Sequence, residues 1–167
     1  MSLRIGIITV SDRSYRGERT DVSGPALASA VGQLGWQVVQ TIILPDELDQ
    51  LVSTLTKWAD ADEMDVILTT GGTGFSPRDI TPEATLAVVE RLTPGIAESM
   101  RNESLRITPH AMLSRAAAGI RSRTLIVNLP GSPKAAVENL NVLIPVLPHA
   151  VQLLHEDPSA EAGHRAN

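Results

Sequence analysis

A chain of 167 residues with a formal charge of -5 has the length of one domain with one sizeable core, and 43% hydrophobic residues make it globular. Only 2% of residues are aromatic and the balance is acidic, which excludes a stacking platform for single-stranded nucleic acid and a basic footprint for a polyanion. No cysteine is present, so disulfides, thiolate catalysis and cysteine-ligated metals are excluded.

The start, Met1-Ser2-Leu3-Arg4, leads straight into a strand pattern and shows no secretory h-region. No run reaches the roughly 18 apolar residues of a membrane span. A cytoplasmic protein is expected, acting on neither nucleic acid nor membrane.

Leu3 to Val10 is apolar and β-branched, the signature of a buried strand, and ends in Thr9-Val10-Ser11-Asp12. A polar, charged loop from Arg13 to Asp21 follows, and Ser23-Gly24-Pro25 opens a helix with Leu27, Val31 and Leu34 on one face and Gly35 as its stop. Trp36 to Leu44 is a second strand. After Pro45-Asp46-Glu47, the positions Leu48, Leu51, Leu55 and Trp58 recur at helical spacing. Met64 to Thr70 is a third strand, ending in Gly71-Gly72-Thr73-Gly74 and a loop with Arg78 and Asp79. Helices are expected near Pro82 to Arg91 and Pro94 to Leu105.

Ser114 to Ile120 and Thr124 to Leu129 flank Arg121-Ser122-Arg123 as a hairpin. Pro130-Gly131-Ser132-Pro133 then turns into a helix, with Ser132 as candidate N-cap. Helical pattern runs to about His155, interrupted near Pro145 and Pro148, and the polar tail 156–167 is expected to be disordered. Strand–helix alternation with one hairpin predicts a single α/β domain over 1–155, a three-layer, doubly wound, mostly parallel sheet.

In such a sheet the ligand edge lies outside the carboxyl ends of the strands. Thr9, Ser11 and Asp12, then Pro45-Asp46-Glu47, then Gly71 to Asp79, then Asn128 to Lys134 converge there. Glycine amides at a strand end suit an anion, a carboxylate just beyond suits the cation that accompanies phosphates, and a helix N-terminus with Lys134 offers a second anion site. Each residue also has an ordinary reading. Asp46 is placed to cap the helix beginning near Glu47, and Asp12 to close an Asx-turn. The Arg115 side chain would face solvent at a strand start, and Asn128 would satisfy neighbouring backbone. Asp60, Asp62, Glu63 and Asp65 read as a solvated turn. His110, His149, His155 and His164 lack metal spacing and nearby acids. Gly71 to Ser76 is neither a P-loop nor a dinucleotide fingerprint, and no nucleophile elbow surrounds Ser11 or Ser76.

Taken together, Thr9 to Asp12, Pro45 to Glu47, Thr69 to Gly74, Arg78 to Thr85, Leu113 to Arg115 and Asn128 to Lys134 resemble the MogA/MoaB family of molybdenum-cofactor biosynthesis, over nearly the whole chain. The resemblance implies a molybdopterin-binding α/β fold and a homotrimer. For the MogA branch it implies magnesium- and ATP-dependent adenylylation of molybdopterin, the product passing to a molybdate-insertion enzyme. It places the catalytic, metal-anchoring acids at Asp46 and Asp79, and phosphate at Gly71, Gly72, Thr73, Gly74 and Arg78. The pterin side would fall on Thr9, Ser11, Asp12, Ser114, Asn128, Pro130, Gly131, Ser132 and Lys134. Two alternatives stand beside it: a MoaB-type paralogue with weak or no activity, and a non-catalytic pterin carrier.

Overall fold

The computed structural model describes residues 1–158; most of the polar tail lies outside them. One six-stranded sheet has the order β2-β1-β3-β6-β5-β4, built from β1 (Arg4–Val10), β2 (Gln37–Leu44), β3 (Val66–Thr70), β4 (Arg91–Leu92), β5 (Ala118–Arg121) and β6 (Thr124–Leu129). β2, β1, β3 and β6 run parallel, and β5 and β4 add antiparallel pairings at one edge. The helices are α1 (Asp12–Tyr15), α2 (Ser23–Gln33), α3 (Leu48–Asp60), α4 (Thr81–Val88), α5 (Pro94–Leu105), α6 (Pro133–Leu143) and α7 (Leu147–Leu154). Among the described residues no single helix is long and apolar enough to cross a membrane.

Period-two alternation explains the near-continuous apolar strands. Ile5 and Ile7 of β1, Val66 and Leu68 of β3, and Leu125, Val127 and Leu129 of β6 join one core with Leu27, Leu140 and Val151. Ile8 and Val10, Ile67, and Ile126 join the other, with Leu51, Leu55 and Trp58 of α3 and Ala84 of α4. A strand covered on both faces loses its polar alternation. Each such side chain contributes about 1.5–3 kcal/mol on burial.

Several expectations are corrected. Ser11 caps a single helical turn, α1, inside the charged loop, its hydroxyl accepting from Ser14 N. β4 is a two-residue strand between α4 and α5, too short to show a period. Residues 114–117 are not strand, and β5 starts at Ala118. The acidic turn is not simply solvated: Asp60 pairs with Arg121 and Asp62 with Arg123. Asp65 is buried, its carboxylate accepting from Arg4 N at 2.7 Å and Arg4 Nη2 at 2.7 Å. His155, expected to lack an acid, puts Nε2 3.2 Å from Asp65 Oδ1, without hydrogen-bond alignment.

β1 connects through α2 to β2 on one side, while β3 leads toward β6 on the other. The crevice between the carboxyl ends of β1 and β3 is therefore the topological switch point.

Candidate active site

The turn after β3 is held open by conformation. Gly71 (φ +99°) and Gly72 (φ +66°) adopt left-handed backbone, and a Cβ on Gly71 would strike Val10 O. A Cβ on Gly72 would strike Thr81 Oγ1 and stand 3.1 Å from Asp46 Oδ1; on Gly74 it would stand 2.9 Å from Asp79 Oδ2. The two predicted carboxylates thus flank the turn at Gly72 and Gly74, on either side of Thr73.

Every carbonyl of the turn is taken by the protein. Gly71 O accepts from Thr81 Oγ1 at 2.8 Å and Gly72 O from Thr81 N at 3.0 Å. Thr73 O accepts from Arg115 N at 2.9 Å and Gly74 O from Arg115 Nε at 2.7 Å. By contrast, the amides of Gly72, Thr73, Gly74 and Phe75 have no acceptor among the described residues. Satisfied carbonyls beside unsatisfied amides make an acceptor-seeking surface, the property of an anion cradle.

Asp12 and Asp46 bridge β1 and β2 reciprocally: Asp12 N donates to Asp46 Oδ2 at 2.9 Å and Asp46 N to Asp12 Oδ1 at 3.0 Å. Asp46 therefore does not cap α3, whose N-cap position is Glu47 with no side-chain cap bond. Arg78 reaches across the edge, donating to both Asp12 carboxylate oxygens at 3.0 Å and to Glu47 at 2.9 Å. Those bonds hold the Asp12 carboxyl below its ordinary value and raise the Arg78 guanidinium. Asp46 moves the other way. Burial raises its carboxyl, and the charges of Asp12 and Asp79 add to the rise. Asp79 Oδ2 accepts from Ser76 N at 2.9 Å, closing its own loop.

On the other side of Gly71, a polar cavity of about 380 Å³ occupies the switch point, lined by Thr9, Ser11, Thr70, Gly131 and Ser132 among others. The two glycine turns abut, since a Cβ on Gly131 would lie 3.2 Å from Gly71 Cα. Asp21, missed in the sequence reading, orders this rim. Its carboxylate accepts from Ser23 N at 3.0 Å, Gly24 N at 3.2 Å and Thr9 Oγ1 at 2.8 Å. An acid two residues before a helix start was the available signal.

The remaining pterin-side residues disperse. Asp12 belongs to the carboxylate–Arg78 group, not to the Ser132 cavity. Ser114 and Pro130 line a separate, more apolar cavity of about 290 Å³ beneath Thr73 and Gly74. Lys134 is 81% exposed at its side chain and lies 3.8 Å from Glu138. Asn128 is fully buried, its amide donating to Thr69 and Thr85 at 3.0 and 2.7 Å while Oδ1 accepts from Ala117 N at 3.1 Å. With its amide committed inside the protein, it braces the site and does not face it.

A divalent cation fits the carboxylate side in one manner only. No group of three or more His, Asp or Glu residues among those described could hold a metal by itself. Asp46 and Asp79 stand beside the unsatisfied amides of the turn, a pair of anionic anchors that would suit magnesium were its shell completed by phosphate oxygens and water.

Residues 6–149 match the family described as probable molybdopterin binding domain. Gephyrin of Dictyostelium discoideum is 43% identical over 97% of this chain, which spans only 24% of gephyrin's length. A molybdopterin adenylyltransferase of Helicobacter pylori (strain J99) is 41% identical over 92% of this chain and 88% of its own. The crystal structure of the molybdopterin biosynthesis enzyme MoaB from Thermus thermophilus superposes with a TM-score of 0.87 at 49% identity, covering 93% of this chain and 98% of that one. With most of its length matched by that family and relatives above 40% identical over more than nine-tenths of it, this chain belongs to the MogA/MoaB family of molybdopterin-binding domains.

Proposed function

We propose that this protein is a molybdopterin adenylyltransferase of molybdenum cofactor biosynthesis. The observation that carries the reading is the turn after β3, where the Gly71 amide is taken by Leu129 O but the free amides from Gly72 to Phe75 lie beside the carboxylates of Asp46 and Asp79. In this reading an oxygen of the terminal phosphate of molybdopterin bonds to the α-phosphorus of ATP. The bond from that phosphorus to the bridging oxygen breaks, and pyrophosphate leaves with the electron pair. A phosphate monoester is already ionised near neutrality, so no general base is needed, in keeping with a site edge formed by hydroxyls, amides, acids and Arg78.

The barrier is repulsion between anions and charge on the leaving group. Amides of the glycine turn hold phosphate oxygens and orient the chain of phosphates. Asp46 and Asp79 would hold magnesium, which supplies charge neutralisation at the phosphates when bound. The cavity at Thr9, Ser11 and Ser132 would take the neighbouring part of the substrates. We further propose a homotrimer and transfer of the product to a molybdate-insertion enzyme.

Purified protein with ATP, magnesium and molybdopterin should release pyrophosphate, and omission of molybdopterin should abolish release. Binding of molybdopterin without release would instead identify a paralogue or carrier that lacks transfer activity.

A further inference from the structure

Arg115 was expected at a solvent-facing strand start, yet its guanidinium is turned onto the loop that carries Asp79. Nε donates to Gly74 O at 2.7 Å, Nη2 to Asp79 O at 2.8 Å, and Nη1 pairs with Glu83 of α4. Its own amide takes Thr73 O at 2.9 Å. One residue therefore grips both ends of the loop from Gly74 to Asp79.

Peptide planarity turns this grip into an orientation. All peptide bonds among the described residues are trans, so each N–H points opposite the carbonyl of its plane. Gly74 N–H shares a plane with Thr73 C=O, Phe75 N–H with Gly74 C=O, and Ile80 N–H with Asp79 C=O. All three carbonyls face Arg115, and none of the three amides has an acceptor among the described residues. Thr81 does the same for the first half of the turn by taking Gly71 O and Gly72 O. Arg115 is itself steadied from α5, where Arg101 donates to Ser114 O at 3.1 Å and Ala116 O at 3.3 Å.

We infer that Arg115 is a positioning residue that clamps carbonyls backward so that the amides after Thr73 form the phosphate surface, and that it binds no phosphate itself. Its charge is already answered by Glu83, and each of its three guanidinium nitrogens already has a partner in Glu83 or a main-chain carbonyl. The inference rests on the cradle being a phosphate site, as proposed above.

The clamp and a direct phosphate contact predict different behaviour for Arg115→Lys. Lysine keeps the charge but has no fork to span two carbonyls and a carboxylate. Under the clamp, kcat falls about 10²-fold, the cost typical of misplacing a reacting group by an ångström. Amide exchange at Ser76, Asp79 and Thr81 should quicken in the ligand-free protein, because their bonds close the clamped loop. Added guanidinium should partly restore turnover of Arg115→Ala. Should Arg115→Lys fail to fold, Glu83→Gln offers a milder loosening with the same two readouts, about several-fold in kcat. Wild-type exchange in a folded, slow variant overturns the clamp and points to phosphate contact. Near-normal turnover in Arg115→Lys overturns it as well. If the unmodified protein releases no pyrophosphate, the exchange rates and calorimetric ATP binding still decide the clamp, while the adenylylation reading alone falls.

Discussion

Asp46 lies in a crowd of like charge: partly buried, within the fields of Asp12 and Asp79, and raised above its ordinary value. Asp12 is relieved by Arg78, Asp46 less so. A carboxyl raised on folding binds more protons in the folded state, so its ionisation draws down stability as pH rises from its ordinary value through the raised one. Asp46→Asn should therefore melt no lower than the parent at neutral pH, because Asn still accepts from Asp12 N and carries no charge. Turnover should fall 10²–10³-fold, the usual loss for one preorganised electrostatic element, and Asp79→Asn should lose activity similarly. Calorimetric melting with a pyrophosphate assay checks both; an Asp46→Asn variant that melts well below the parent would contradict the assignment. Activity of the parent should decline on acidification at a pH above that expected for an ordinary aspartate. The places of Asp46 and Asp79, beyond strand ends on one edge of the sheet, were legible in the sequence. Their partners were not: the reciprocal bond to Asp12 and the arm of Arg78 join segments remote in sequence.

At the scale of elements, the turns after β3 and β6 meet at Gly71 and Gly131, so the ends proposed for nucleotide and for pterin would share one floor. Gly131→Ala sets a methyl 3.2 Å from Gly71 Cα, and the backbone must yield. Titration calorimetry should then show ATP and molybdopterin weakened together, by comparable factors; a loss confined to one ligand would restore the division into two ends. Gly72→Val combines a strained φ of +66° with a collision at Thr81, so it should cost about 1–3 kcal/mol in stability and most of the ATP affinity. A chemical denaturation curve measured beside the titration separates those two effects. The long strands and helices were legible because burial on one or two faces leaves a period. α1, β4 and the inward turn of Arg115 left none: a four-residue helix and a two-residue strand are too short, and a guanidinium's partners are set by tertiary packing.

The whole molecule buries one core against each face of its sheet yet leaves Leu105, Ile107, Met112, Leu113 and Val146 exposed in its second half. Such apolar area suits self-association, and light scattering should give three times the 17.8 kDa chain mass across micromolar concentrations. A constant mass of one chain would remove the trimer. The alternation of strands and helices made the sheet legible. The fastening at its opposite edge was not, because Arg4, Asp65 and His155 are far apart in sequence: the pairing of β1 with β3 joins Arg4 to Asp65, and the packing of α7 brings in His155. That fastening has a consequence for how the protein can be joined to others. Arg4 and His155 meet the same carboxylate, so the first strand and the last described helix end at neighbouring points, on the edge opposite the glycine turn. A body whose two ends are adjacent can be spliced into a longer polypeptide as a cassette, the face that bears the glycine turn left unobstructed.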